Sequence, residues 1–311
     1  MKVAVIGVGY LGKFHAQKYA HLEGVKLVGV CDSNYDQAKQ IATELNTKAF
    51  SDYKKLADKV DAVSIVTPTQ LHFQIAKFFL TNKVHVLVEK PITSKVVEAD
   101  ELIKIANDEQ LILQVGHLER FNPALMKASE LLDKPSFIET QRLSSFNPRG
   151  ADVNVILDLM IHDIDIIQNL LACGIKSIKT IGVPVLTKEV DICNARLEFD
   201  NGCVANVSAS RVSSKSERKM RIFQENTYMS VDFQEKTLSI YRNESQKTDI
   251  PDQTSISSQI MTFNKSDAIL DEIISFIETI KAEGKPVVSG IDGRAALLTA
   301  LEITEKIKQT F

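Results

Sequence analysis

Short apolar, β-branched runs alternate with longer amphipathic stretches through the first third of the chain. Residues 3–6, 27–31, 62–66, 84–88 and 111–115 read as strands, and 11–21, 35–45, 71–81 and 94–107 have helical length. Strands this uniformly apolar are expected to be covered on both faces, so the alternation predicts a parallel, doubly wound α/β sheet. Such a sheet takes its ligands beyond the carboxyl ends of its strands. After about residue 120 the pattern changes. A helix over 154–171 is followed by strands near 177–183, 192–199, 203–209, 220–224 and 238–241, which predicts an α+β domain with a mostly antiparallel sheet. Asp200-Asn201-Gly202 marks a hairpin, because Asn and Gly accept the positive φ of a tight turn. The polar stretch 251–264 reads as a loop, and helices over 268–281 and 292–309 close the chain. Two domains are expected, a doubly wound α/β domain over 1–120 and an α+β domain over 121–311.

Composition narrows the function by exclusion. With 37 Lys and Arg against 40 Asp and Glu, the formal net charge of -3 gives no basic face for nucleic acid or an anionic membrane. No apolar run approaches the ~20 residues that span a bilayer, and Met1-Lys2 leads directly into an apolar strand, so a cytoplasmic protein is expected. Four cysteines at irregular spacing contain no Cys-x-x-Cys pair, so neither disulfides nor a metal site is expected.

The first predicted strand runs into Gly7-Val8-Gly9-Tyr10-Leu11-Gly12, a Gly-x-Gly-x-x-Gly turn opening a helix. Gly7 allows the tight turn, Gly9 lets backbone approach a pyrophosphate, and Gly12 allows helix to pack on strand. Asp32 ends the second strand, 20 residues after Gly12, where a carboxylate can accept from both adenosine ribose hydroxyls. That carboxylate would repel a 2′-phosphate and no Arg follows it, so NAD is favoured over NADP. The alternative is that Asp32 merely caps the helix beginning near Tyr35.

Three further segments, Thr67-Pro68-Thr69-Gln70-Leu71-His72, Val88-Glu89-Lys90-Pro91 and Asp158-Leu159-Met160-Ile161-His162, resemble the hallmark motifs of the glucose-fructose oxidoreductase, inositol dehydrogenase and MocA family. The resemblance extends over essentially the whole chain. It implies a Rossmann domain followed by a domain on a large open sheet that often serves oligomerisation, hence a homodimer or homotetramer. Residues 116–123 and 152–163 are similar to members that oxidise the 3-hydroxyl of UDP-N-acetylglucosamine or a related UDP-sugar, although Asn154 stands where that pattern has glycine. The cofactor contacts it implies are Thr67, Pro68, Thr69, His72, Glu89 and Lys90, with Tyr10 and Leu11 in the glycine turn.

Oxidising a secondary alcohol needs a hydride acceptor at the carbinol carbon and a base for the hydroxyl proton. Lys90, at the carboxyl end of a parallel strand, can polarise the reacting oxygen, and His162, with an ordinary imidazole pKa of about 6.5, can take the proton. Asp158 can orient that imidazole or bind a sugar hydroxyl. Because Asp158, His162, Asp165 and Asn169 lie on one helical stripe, a plain solvated face is the competing reading. Arg120 is either a substrate contact or a structural ion pair, and Pro91 makes a cis peptide possible. His72 is expected to anchor the start of its helix, and His15 to be a packing residue. A sugar diphosphate would find cations in Arg149, Arg211 and Lys215, unless the run from Arg211 to Arg221 is a solvated charged sheet edge. A free sugar or inositol-type polyol is the rival substrate, and a non-catalytic NAD-binding regulator is the rival from another class.

Overall fold

The computed structural model describes residues 1–147, 153–244, 256–264 and 267–309. In chain order the first elements are β1 (Lys2–Ile6), α1 (Tyr10–His21), β2 (Lys26–Cys31), α2 (Tyr35–Glu44), β3 (Lys48–Phe50), β4 (Ala62–Ile65), α3 (Thr69–Thr81), β5 (His85–Glu89), α4 (Val96–Asp108) and β6 (Leu113–Gly116). Then come α5 (Pro123–Glu130), β7 (Phe137–Leu143), a π-helical turn (Ile156–Met160), α6 (Ile161–Leu171), β8 (Ile175–Val183), β9 (Ile192–Phe199) and β10 (Val204–Ser210). The last are β11 (Glu217–Gln224), β12 (Thr227–Asp232), β13 (Thr237–Asn243), β14 (Ile256–Thr262), α7 (Ala268–Lys281) and α8 (Gly290–Lys308).

Two compact units result: Met1–Leu118 with Asp267–Leu297, and Glu119–Ser266 with Leu298–Phe311. This division differs from a single cut near residue 120, because 267–297 joins the first unit. The reason is the apolar face of α7, whose Ile273, Phe276 and Ile277 share one core with Val3, Val5, Tyr19 and Val30. Around that core the first unit builds a six-stranded sheet in the order β3-β2-β1-β4-β5-β6, parallel at every pairing. Beyond the exposed Lys2 at the start of β1, the interior strands β1 and β4 have almost no solvent contact, which explains why they are apolar apart from Ser64.

The second unit is an eight-stranded sheet in the order β14-β13-β12-β11-β7-β10-β9-β8. Only β7 and β10 pair in parallel; the other neighbours are antiparallel. Residues alternate strictly along β7, with Ile138, Thr140 and Arg142 buried and the residues between them half-buried. The π-helical turn and α6 pack on the buried face through β7 and β10. Phe137, Phe223, Tyr228 and Tyr241 form a ladder of neighbouring rings on the other face.

The hairpin at Asp200–Gly202 forms as expected, with Gly202 at φ +86 and Phe199 and Cys203 closing it. Two expectations are corrected. Residues 256–262, read as loop, are strand β14, which pairs with β13 along its full length. The charged run from Arg211 to Arg221 is not a sheet edge: β11 lies between β12 and β7, and its Arg221 pairs with Glu139 on β7 at 2.8 Å. All four cysteines are free, and burial pushes the Cys31 thiol up to about 12.

Candidate active site

In the first unit, the chain leaves β1 at Gly7, whose φ of +86 only glycine holds without strain. A Cβ there would lie 2.4 Å from the Val66 carbonyl oxygen, and one on Gly12 would lie 1.9 Å from the Gly7 carbonyl oxygen. Gly9 differs: a Cβ would meet nothing within 4 Å. Gly9 is also the N-cap of α1 and has no side chain to satisfy the first-turn amides, so the positive end of a 12-residue helix opens onto free space beside Tyr10 and Leu11. Asp32 accepts from the Val8 amide at 2.8 Å and from the Asn34 amide at 2.9 Å. It does not cap α2; Asn34 does, accepting from the Gln37 amide. Both Asp32 oxygens retain lone pairs for further donors. A bare helix N-terminus and a carboxylate on one turn fit the pyrophosphate and ribose of a dinucleotide.

The expected contacts from the next strands gather around the Lys90-Pro91 peptide, which is cis. β4 ends before Thr67 and Pro68, and Thr69 opens α3. His72 is buried, with Nδ1 2.8 Å from the Pro91 carbonyl oxygen and Nε2 2.8 Å from that of Thr67, so it ties both turns together rather than only anchoring its helix. Burial lowers its pKa against the pull of these two carbonyls. Glu89 is buried at the end of β5, and one of its oxygens accepts the Lys90 amide at 3.2 Å. A Cβ on Gly116 would come within 3.0 Å of the Glu89 carboxyl group, so a glycine there makes room for the acid. Beside Glu89 stand His15 of α1, buried as expected of a packing residue, and Glu272 of α7, which sequence reasoning passed over; both are fully buried. The one sequence signal for Glu272 is a carboxylate on the apolar face that carries Ile273 and Phe276.

In the second unit, Asp158 lies within the π-helical turn and half-buried His162 at the start of α6. Helical turns of this kind are rare and are often found at functional sites. Asn154 supports the turn, accepting from the Leu157 amide at 2.9 Å while its carbonyl accepts from Asp158. An asparagine in place of the expected glycine therefore caps the segment.

The polar stripe on α6 is exposed only at Asn169, and its middle is not solvated. Asp165 is buried and receives two hydrogen bonds from Arg120, at 2.6 and 2.8 Å, which favours the structural ion pair among the two readings of Arg120. Asp163 receives two from Arg142, at 2.8 and 3.0 Å, and Arg142 also reaches Glu119 at 2.7 Å. Burial raises the Asp163 carboxyl while Arg142 opposes it, and the two parallel contacts are those of a carboxylate. Burial likewise works against the Arg142 charge, but Asp163 and Glu119 hold its pKa above the usual arginine value. Arg211 is buried too, paired with Asp191 at 2.7 Å and bonded to Thr187, whereas Lys215 is exposed. Arg149 lies outside the described residues.

A parallel sheet in the order 3-2-1-4-5-6, with a glycine turn after its first strand and a carboxylate after its second, defines a dinucleotide-binding domain of the oxidoreductase type. Residues 1–117 match the model of an oxidoreductase family with an NAD-binding Rossmann fold, and 133–229 match the GFO/IDH/MocA C-terminal domain. The chain is 40% identical to UDP-N-acetylglucosamine 3-dehydrogenase of Acidithiobacillus ferrooxidans, over 97% of this chain and 96% of that protein. A solved structure of that enzyme superposes with a TM-score of 0.93, at 39% identity over 99% of this chain and 98% of the other. The scyllo-inositol 2-dehydrogenase (NAD(+)) of Bacillus subtilis is 32% identical over 68% of each chain. The chain belongs to the Gfo/Idh/MocA oxidoreductase family, and it is an enzyme of the dehydrogenase type.

Proposed function

We propose that this enzyme uses NAD to oxidise the 3-hydroxyl of UDP-N-acetylglucosamine or a closely related UDP-sugar. The observation that carries the reading is the 40% identity to the UDP-N-acetylglucosamine 3-dehydrogenase across nearly the full length of both chains. The bound dinucleotide would supply the hydride acceptor. Its pyrophosphate would rest on the α1 amides at Gly9, Tyr10 and Leu11, and its ribose on Asp32, whose charge disfavours a 2′-phosphate.

The chain's own groups do the proton chemistry. Lys90 donates to the reacting oxygen and stabilises the negative charge that develops there. His162 takes the hydroxyl proton, and Asp158 orients the imidazole or holds a neighbouring hydroxyl. Thr67, Pro68, Thr69, His72 and Glu89 shape the cofactor side around Lys90. Arg120 takes part through Asp165 rather than by touching the sugar, since its guanidinium forks onto that carboxylate. Arg149 and Lys215 remain the cations assigned to the diphosphate. A homodimer or homotetramer in the cytoplasm completes the reading. The kinship with an inositol 2-dehydrogenase favours a free polyol as the second substrate class.

A single-turnover experiment tests both: stoichiometric enzyme with NAD and, in turn, UDP-N-acetylglucosamine, UDP-glucose or myo-inositol, followed by absorbance of the reduced nicotinamide. Reduction with UDP-N-acetylglucosamine is expected, and reduction only with myo-inositol would overturn the sugar-nucleotide reading. His162→Ala is expected to bind NAD normally and lose turnover by about a hundredfold or more; full activity would remove His162 from the mechanism.

A further inference from the structure

The proposed chemistry makes no use of His15 or Glu272, which lie beside Glu89. His15 from α1, Glu89 from β5 and Glu272 from α7 each place a side-chain atom within 4.8 Å of the others. His15 Nε2 is 3.4 Å from a Glu89 oxygen. Neither ring nitrogen of His15 has a hydrogen-bond partner, nor does either oxygen of Glu272 or Oε1 of Glu89. The nearby Gln114 amide donates to the Glu272 main-chain carbonyl, not to its carboxyl group. Glu272 lies on a helix face with Ile273 and Phe276, both wholly buried.

Two bare carboxylates this close in such a setting would each carry a desolvation penalty and repel one another, whereas one proton between them removes both costs. Three further titratable residues lie against the cluster. Tyr19 of α1 is bonded to Ser64 of β4, and its pKa is raised by burial and by the Glu272 charge. His72 of α3 feels Glu89. Lys90 follows Glu89 directly and donates its amide to the second Glu89 oxygen.

We propose that His15, Glu89 and Glu272 form one buried proton-sharing unit. Glu272 carries the proton and donates it toward Glu89, which stays a carboxylate beside His15 and holds the Lys90 amide in place. Glu272 is thereby a positioning residue for Lys90, and that part rests on the role given to Lys90 above. Burial and the Glu89 charge both raise the Glu272 carboxyl well above the ordinary range. A divalent cation is the alternative occupant, and it would require both carboxyls ionised.

A carboxyl whose folded pKa is raised takes up a proton on folding, so its contribution to stability is fully present below the ordinary value of about 4.3 and is lost as pH rises toward the folded pKa. Urea unfolding of the full-length wild type and Glu272→Gln between about pH 5 and 8 is expected to show their ratio of folding constants rising with pH in favour of the variant, by up to about tenfold per pH unit while Glu272 holds its proton. A ratio independent of pH, or a stoichiometric divalent metal in the purified wild type, would overturn the proposal. Should Glu272→Gln fail to fold, carbon-13 NMR of glutamate-labelled wild type decides: a glutamate carboxyl still protonated at neutral pH is expected, and its absence counts against the idea. For the positioning role, Glu272→Leu is expected to lower kcat about tenfold or more at unchanged KM, with Glu272→Gln restoring most of it. Equal losses in both variants would refute that role while leaving the assignment of the proton, and the substrate reading, to their own tests.

Discussion

Replacing Arg142 by methionine isolates what the buried ion pair under α6 contributes. The substitution keeps most of the side chain's volume but removes the cation that holds Asp163 and reaches Glu119. Glu119 is partly exposed and can rehydrate, but Asp163 is 1% exposed and cannot. Arg120 offers no replacement, since Asp165 occupies it, and Arg218 acts on Asp163 only through space. Asp163 must then either remain ionised in an apolar site or take up a proton. From an ordinary value of about 3.9, protonation at pH 7 costs about 4 kcal/mol, at about 1.4 kcal/mol per pH unit, and at pH 5 only about 1.5 kcal/mol. The variant is therefore expected to lose about 4 kcal/mol near neutrality, within the about 3–5 kcal/mol typical of breaking one side of a buried pair, and to recover most of it on mild acidification. Urea unfolding across that pH range measures the difference, and hydrogen exchange of the α6 amides assigns it to the second unit. The double variant Arg142→Met, Asp163→Leu leaves no charge stranded and is expected to regain most of the loss. A loss under about 1 kcal/mol at pH 7, or one that does not change with pH, would refute the reasoning.

Two substitutions probe the cofactor side. Gly12→Ala places a methyl group 1.9 Å from the Gly7 carbonyl oxygen, so the turn has to open; isothermal titration with NAD is expected to show at least a tenfold loss of affinity alongside about 1–3 kcal/mol of destabilisation, and unchanged affinity would count against the cradle. Asp32→Ala removes a carboxylate that braces Val8 and Asn34 and is expected to weaken NAD by about tenfold to a hundredfold, while NADP loses less or gains. Equal losses for the two cofactors would reduce Asp32 to a brace for the turn.

What was legible in the sequence is what short range determines. The glycine turn and Asp32 belong to one strand-turn-helix-strand unit, so spacing alone locates them. The interiors of the central strands of the first sheet are mostly apolar because both faces are covered, and that requires no knowledge of their partners. β7 is different. Phe-Ile-Glu-Thr-Gln-Arg-Leu has only its alternate residues buried, and one of these is an arginine, so hydropathy gives little sign of a central strand. β14 is mostly exposed and is defined by its pairing with β13, which its polar composition conceals. Likewise, nothing near residue 267 indicates that α7 completes the core of a unit begun at Met1.

The same contrast governs the charged groups. Asp163 and Asp165 lie on a helix whose spacing suggests a wet polar stripe, yet their arginines come from 21 and 45 residues away and draw them into the interior. Glu272 sits 158 residues from the glutamine that touches its backbone, and His15 looks like an ordinary helix residue until Glu89 is placed beside it. An isolated buried charge is too costly to survive in a folded chain, so every ionisable residue on an otherwise apolar face implies either a distant partner or a bound proton. Asp163 and Asp165 answer to the first of these and Glu272, on the reading above, to the second. The two cases respond oppositely to rising pH where the ion-paired carboxylate is held below its ordinary range, as Asp191 is by the Thr187 amide, Arg211 and the Leu186 and Val185 amides: it gains stability as it ionises, and a proton-holding one loses it, so a pH series on Asp191→Asn and Glu272→Gln separates them in a single chain.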